Sequence, residues 1–381
     1  AKEVLYGLRQ HFEGFHKGII EDSAIEAAVD LSVRYQTDKR LPDKAIDLID
    51  MSCAKLKIKD PEFTVTKLDI VDTISKATKI PKENLTNEKA TNNLINLEST
   101  IKDKLFGQDS AVDQVLEKIY VAKAGMKAHN KPIGNFLFLG PTGTGKTELA
   151  KLLSKNLDMP LLKYDMSEYG EKHSVSSLIG PPPGYVGFGD SQVGGGRLIS
   201  DLSKNPHAIM LFDEVEKAHP DIFNIFLQML DEGRITGSNG KEVTCKNAII
   251  IMTSNLGSAD NEKNVIGFGS QEKTGEDDKA LKEFFKPEFR NRIDLVCKFG
   301  KLDILAIKKI VIKFTDDLKK SLKESHEITL NLSESLVEYL ADKGYDSKMG
   351  ARPLARKIDE MIRVPLSKKI LFDRIKNAII N

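Results

Sequence analysis

The sequence predicts an α/β protein: a parallel-sheet core with a helical C-terminal lid, preceded by a small helical domain. Three observations carry this. Residues 140–147 read G-P-T-G-T-G-K-T, directly after the apolar run Leu137-Phe138-Leu139 and ahead of residues 148–153, which have helical spacing. Short apolar runs at 136–139, 208–212 and 248–252 are bounded by polar or turn residues, as buried parallel strands are. On either side, from Lys2 to about Ile58 and after Lys301, apolar residues recur at helical spacing.

The elements follow in chain order. Residues 23–33 place apolar side chains on one face, 43–49 do the same behind Pro42, and 65–77 add another helix. We assign residues 1–80 to a small helical domain and 81–100, opening with Pro81 and a polar stretch, to a linker. Residues 101–299 form the strand-and-helix unit and 300–381 the helical lid, with a short strand at 327–331. The segment 257–279, rich in Gly, Asn, Asp and Glu, reads as an exposed loop.

Composition narrows the function. With 381 residues there is room for two or three domains with real cores. Lys and Arg number 57 against 56 Asp and Glu, so no nucleic-acid partner held by general attraction is expected. Mean hydropathy is −0.30 and no apolar segment reaches bilayer length, so no membrane partner is expected either. Cys53, Cys245 and Cys297 lie far apart without metal-type spacing. Reduced thiols and a cytoplasmic location are the expectation.

The chemistry is densest at residues 140–147. Gly140, Gly143 and Gly145 let backbone N–H groups close around phosphates, with Pro141, Thr142 and Thr144 completing the loop. Lys146 reaches the β/γ oxygens, the Thr147 hydroxyl can ligate Mg²⁺, and the following helix adds its positive end. The run Ala208-Ile209-Met210-Leu211-Phe212 ends in Asp213 and Glu214. Asp213 stands where a carboxylate can hold Mg²⁺, and Glu214 where one can polarise a water aimed at the γ-phosphate. An Asp-Glu pair can also merely open a helix; behind a phosphate loop, catalysis is the better reading. The chain is expected to bind and hydrolyse ATP with Mg²⁺.

Further segments join these in a fixed order: Leu105-Phe106-Gly107-Gln108, Asp165-Met166-Ser167-Glu168-Tyr169, I-G-P-P-P-G-Y-V-G-F at 179–188, F-R-N-R-I-D at 289–294 and G-A-R-P at 350–353. Together they resemble AAA+ ATPases of the Clp unfoldase family, closest to the second ATPase module of ClpA-type members, across essentially all of residues 1–381. The resemblance implies that Phe106 belongs to the segment packing on adenine. It implies that Asn255 is sensor 1, orienting water, and that Arg352 is sensor 2 in the lid. Arg292 takes the role of an arginine finger reaching a neighbouring subunit's site, with Arg290 a weaker companion. A homo-oligomer, hexameric by family, follows from a finger acting in trans. Residues 40–47 (R-L-P-D-K-A-I-D) resemble the lid of a preceding ATPase module. On that likeness the sequence reads as part of a longer protein, whose N-terminal domain could take an adaptor.

Substrate and partner signals come from two further segments. Tyr185 and Val186, flanked by glycines, suit a loop that grips an unfolded protein chain by shape, and the resemblance places them in a ring pore. The Gly-rich stretch 189–196 is longer than the family pattern. Residues 233–240 resemble a second pore-facing segment, with an ordinary hairpin as the alternative. Ile266, Gly267 and Phe268 stand in the polar loop, where exposed apolar residues need a reason. In peptidase-coupled members such a tripeptide docks on a ClpP-type peptidase; disaggregases lack it. The expected function is an ATP-driven unfoldase threading proteins through a pore into that peptidase. A disaggregase, an ATPase acting on nucleic acid and an inactive ring subunit are the alternatives.

Overall fold

The computed structural model describes residues 1–36, 40–78, 80, 82–85, 94–128, 130–181, 196–256, 276–346, 349–372 and 379–380. At its centre lies a parallel sheet of five strands: β1 (Gly134–Leu139), β2 (Leu161–Asp165), β3 (Ile209–Asp213), β4 (Ile249–Ser254) and β5 (Leu295–Lys298). Their order is β2-β3-β4-β1-β5. Every residue of β1 and β4 is buried, as is every residue of β3 except Asp213. Successive side chains go to opposite faces. Leu137, Phe212 and Met252 enter one core, while Phe136, Phe138, Leu211 and Ile251 enter the other. Strand β1 pairs with β4 from Gly134↔Ile249 to Leu139↔Ser254. This register brings the carboxyl ends of β1, β3 and β4 to one edge.

Sequence reading found the three central strands and missed β2 and β5, which are the two edges. An edge strand is covered less completely and need not be continuously apolar. In β2 only Tyr164 is buried and Lys163 is exposed, while Leu295 and Val296 of β5 are only partly covered. Two other expectations need correction. The stretch read as a linker contains helices Lys82–Leu85 and Leu97–Lys102, and Leu97 and Ile101 are buried in the second core. Their i, i+4 pair is hidden in the sequence by the polar residues between and around them. The segment read as a loop to 279 becomes helical at Glu276–Phe284; that helix leads to Leu281 and Phe285, which pack in the first core with Phe226 and Phe289. Its first residues are acidic, as a helix start favours.

Two helical units flank the sheet, each with its own core. Helices Lys2–His16, Asp22–Tyr35, Asp43–Lys59 and Lys67–Thr78 enclose Ile25, Leu48, Ile70 and Ile74. After β5, Asp303 caps the helix Ile304–His326 by accepting from Ala306 N–H at 2.7 Å. That helix packs with Glu334–Gly344, Arg352–Ile358 and Val364–Phe372 around Val311, Leu340 and Leu354. Thr329–Leu330, within the stretch expected to be a strand, pairs in parallel with Ile379–Ile380. All three cysteines are free and buried, and burial pushes the Cys245 and Cys297 thiols up to about 12. Among the described residues no helix is long and apolar enough to cross a membrane.

Candidate functional site

After Leu139 the chain turns through residues 140–145 into the helix Lys146–Leu157. The turn needs φ of +144° at Gly140, +75° at Gly143 and +105° at Gly145. Side chains disfavour that backbone, and a Cβ on Gly145 would stand 2.6 Å from Leu105 Cδ1. At the first helical position Lys146 is only 8% exposed. Its Nζ donates to the carbonyls of Gly140 (2.5 Å) and Pro141 (2.8 Å) and to Asn255 Oδ1 (2.9 Å). Burial lowers its pKa to about 8, although Glu216, Asp213 and Glu214 pull the other way. A buried ammonium satisfied only by dipoles and more distant carboxylates is ready for an anion.

The carboxylates come from β3. Asp213 Oδ1 accepts from Thr253 Oγ1 at 2.5 Å, and its Oδ2 pairs with Lys163 at 2.9 Å. Glu214 follows with φ of +57°, its N–H donating to Thr253 Oγ1 at 3.1 Å. Its carboxylate pairs with Lys217 and accepts from Asn255 Nδ2 at 3.3 Å. Asn255, just past β4, thus joins Glu214 to Lys146. Its own N–H donates to Glu216 Oε1 at 3.0 Å, which holds it at the sheet edge.

These groups line a cavity of about 410 Å³. Phe106, Leu302, Ile310 and Phe314 form an apolar end that suits a flat base. Thr147, Asp213, Glu214, Asn255 and Arg352 line it as well. The Thr147 hydroxyl and Asp213 carboxylate are hard oxygen donors. Among the described residues no cluster of three or more His, Cys, Asp or Glu side chains could hold a metal unaided. Two hard oxygen donors beside a phosphate loop fit Mg²⁺, which is commonly held by one or two protein groups plus phosphate and water.

The lid meets the phosphate loop and the segments around it at several points. Ala351 N–H donates to Gly143 O at 3.3 Å, and a Cβ on Gly350 (φ +61°) would lie 2.5 Å from Thr142 O. Lys313, on the first lid helix, reaches Glu148 Oε1 and Lys104 O, each at 3.0 Å. The Gln108 side-chain amide clasps the Gly300 backbone from both sides, at 2.9 and 3.2 Å.

Arg292 is elsewhere. It precedes β5, at the amino edge of the sheet, and donates to Asp231 Oδ2 (3.2 Å) and Glu288 O (2.7 Å). Asn135, near the start of β1, fixes that segment. Its Nδ2 donates to Arg292 O at 3.2 Å, and its N–H donates to Asp294 Oδ2 at 2.8 Å. Lys127 pairs with the same Asp294 oxygen at 2.5 Å. From Asn135 to Gly140 the strand covers about 16 Å, and neither Arg292 nor Arg290 lines the chain's own cavity.

Of the residues expected in the site, 140–147 with Phe106, Asp213, Glu214, Asn255 and Arg352 are brought toward one cavity. Tyr185 and Val186, and Ile266, Gly267 and Phe268, lie outside the described residues. Residues 233–240 include a true hairpin strand, Arg234–Thr236 pairing with Glu242–Thr244. Sequence reading missed Lys163, Lys217, Thr253 and the lid wall of Leu302, Ile310 and Phe314. Only Thr253 carried a usable signal: it directly follows the apolar run 248–252, whose strand pairs with that of Asp213.

Residues 131–296 match the AAA domain (Cdc48 subfamily), 1–101 an AAA lid domain and 302–380 the C-terminal, D2-small domain of ClpB protein. A ClpA homolog protein of Fuscovulum blasticum is 45% identical over 98% of this chain and 47% of its own length. The chaperone protein ClpB of Oceanobacillus iheyensis is 38% identical, covering 97% of this chain and 54% of its own length. The closed-state cryo-EM reconstruction of Hsp104 with ATPγS and FITC casein superposes with a TM-score of 0.85 at 37% identity, over 99% of this chain and 65% of that one. The chain therefore spans about half the length of the curated relatives it matches. It belongs to the Clp family of AAA+ ATPases.

Proposed function

We propose that this chain hydrolyses ATP and uses the cycle to unfold and thread proteins through a ring pore. The observation that carries the reading is the convergence of Lys146, Asp213, Glu214 and Asn255 at one cavity edge. Lys146 holds the phosphates, Glu214 takes the proton of the attacking water, and Asn255 orients that water between them. Thr147 and Asp213 would hold Mg²⁺, which when bound offsets phosphate charge. Arg352, on the lid, meets the phosphate end. Arg292 completes a neighbour's site, because it stands about 16 Å of strand away from its own. This supports a homo-oligomeric ring, hexameric in the full protein.

In this reading residues 1–80 are the lid of a preceding ATPase module, 101–299 are the large ATPase domain, on whose core the helix Leu97–Lys102 already packs, and 300–381 are its lid. Tyr185 and Val186 grip substrate in the pore, and Ile266, Gly267 and Phe268 dock a ClpP-type peptidase. An N-terminal adaptor-binding domain and a cytoplasmic, reducing location complete the proposal; the three buried free thiols agree with the latter. The casein in the Hsp104 reconstruction supports a protein substrate. The test adds ATP, this chain and a ClpP-type peptidase to a tagged folded reporter. Degradation is expected, and its loss when 266–268 are deleted assigns the docking role. ATP hydrolysis without degradation by the undeleted chain would instead favour a disaggregase. That second reading is supported by the match of 302–380 to the ClpB small domain.

A further inference from the structure

We propose that Lys217 is a positioning residue that restrains Glu214, holding its carboxylate in an arrangement from which it must be released before it can act on water. The proposal rests on Glu214 being the group that polarises the water. Glu214 directly follows β3 in a left-handed backbone conformation, and its N–H is fixed to Thr253 Oγ1 at 3.1 Å. With the backbone anchored, the carboxylate is steered by its side-chain partners, which among the described residues are two. Asn255 Nδ2, at 3.3 Å, belongs to the cavity; Lys217 does not line it.

Lys217 is well placed for a reversible restraint. It ends the 3-10 turn Val215–Lys217, and its own N–H donates to Glu214 O at 2.9 Å, so main chain and side chain close on the same residue. Its side chain is 52% exposed and that of Glu214 26%. A pair so accessible to water is worth little and opens readily. A buried pair would be a permanent strut. Glu216 and Asp165 also attract the Lys217 ammonium, offering it other company once Glu214 leaves.

The turn is also mechanically tied to a neighbouring segment. His219 N–H donates to Tyr169 O at 2.9 Å, and a Cβ on Gly170 would lie 3.2 Å from Lys217 O. Tyr169 closes the turn Met166–Tyr169, and the helix Lys172–Ile179 follows it. Displacement of that segment would move the backbone that carries Lys217, while Glu214 stays pinned to Thr253.

The test is steady-state ATP hydrolysis by the full 381-residue chain. Lys217→Met should raise kcat about fivefold, equivalent to about 1 kcal/mol, the upper worth of an exposed pair. KM for ATP should not move, because Lys217 does not line the nucleotide cavity. Lys217→Arg keeps a cation at the position and should restore the native kcat. Lys217→Gln serves as a second neutral variant, with thermal melts to confirm that each folds. An unchanged or lower kcat in the folded neutral variants, or a change confined to KM, would overturn the restraint. Glu214→Gln separates the two levels. If it hydrolyses ATP at the native rate, the reading of Glu214 fails. If it is inactive while Lys217→Met is not faster, only the restraint fails.

Discussion

The two edges of the five-stranded sheet are built to different degrees of completeness. At the carboxyl edge, strands β1, β3 and β4 end together and deliver a phosphate loop, two carboxylates and Asn255 into one cavity, with the lid closing it. At the amino edge, Arg292 is held by Asp231, the Glu288 carbonyl and the Asn135 amide, and it does not line the cavity. In the proposed assembly the first edge is a site lacking one cation and the second a cation lacking a site. On that reading a single chain carries halves of two sites, and its chemistry is set by assembly as much as by folding.

The largest expected effect isolates the first edge. Glu214→Gln should slow hydrolysis about a thousandfold, the size of a lost general base, while ATP still binds in a fluorescence titration. Native turnover in this variant would remove the distinction between binding and chemistry at the carboxyl edge. Arg292→Ala addresses the second edge and should lower turnover of the assembled protein about a hundredfold, as loss of a transition-state donor does. Nucleotide affinity of the isolated chain should be unchanged; a weakened affinity there would mean that Arg292 serves its own cavity.

A smaller effect sharpens the role of the lid. Gly350→Ala places a methyl group where Thr142 O already stands, in a backbone conformation that side chains disfavour. Loosening the lid by about 1.4 kcal/mol would reduce ATP affinity about tenfold, measured by equilibrium titration, with Arg352 still present. The last effect is on stability rather than on turnover or binding. Asn135→Ala removes donors to the carbonyls of Leu230 and Arg292 and should cost about 1–3 kcal/mol in denaturant unfolding. ATP affinity should be spared, because Asn135 lies at the far end of β1.

The same contrast explains what could be read in the sequence. The carboxyl edge was legible because its chemistry is contiguous: eight residues make the phosphate loop, and two carboxylates follow one apolar strand. Its three strands are central and each carries an unbroken apolar run, so they stood out. Strands β2 and β5 are edges whose Lys163 and partly covered Leu295 and Val296 break the apolar pattern. With β2 unseen, the Lys163–Asp213 pair could not be anticipated. Arg292 was assigned only through the family likeness, since an arginine beside other charged residues is by default a solvated surface group. The apolar lid wall at Leu302, Ile310 and Phe314 reads as ordinary helix core until the lid is folded over the loop.

Strand β1 joins these edges, with the Arg292 anchor at Asn135 and the phosphate loop beginning at Gly140. A contact that sets the finger of one copy against the loop of another is heterologous, joining unlike surfaces. In the proposed ring, copies would stack head to tail, each with one neighbour it serves and a different neighbour that serves it. News of a spent nucleotide would then pass around that circle in one rotational sense, set by which end of β1 comes first.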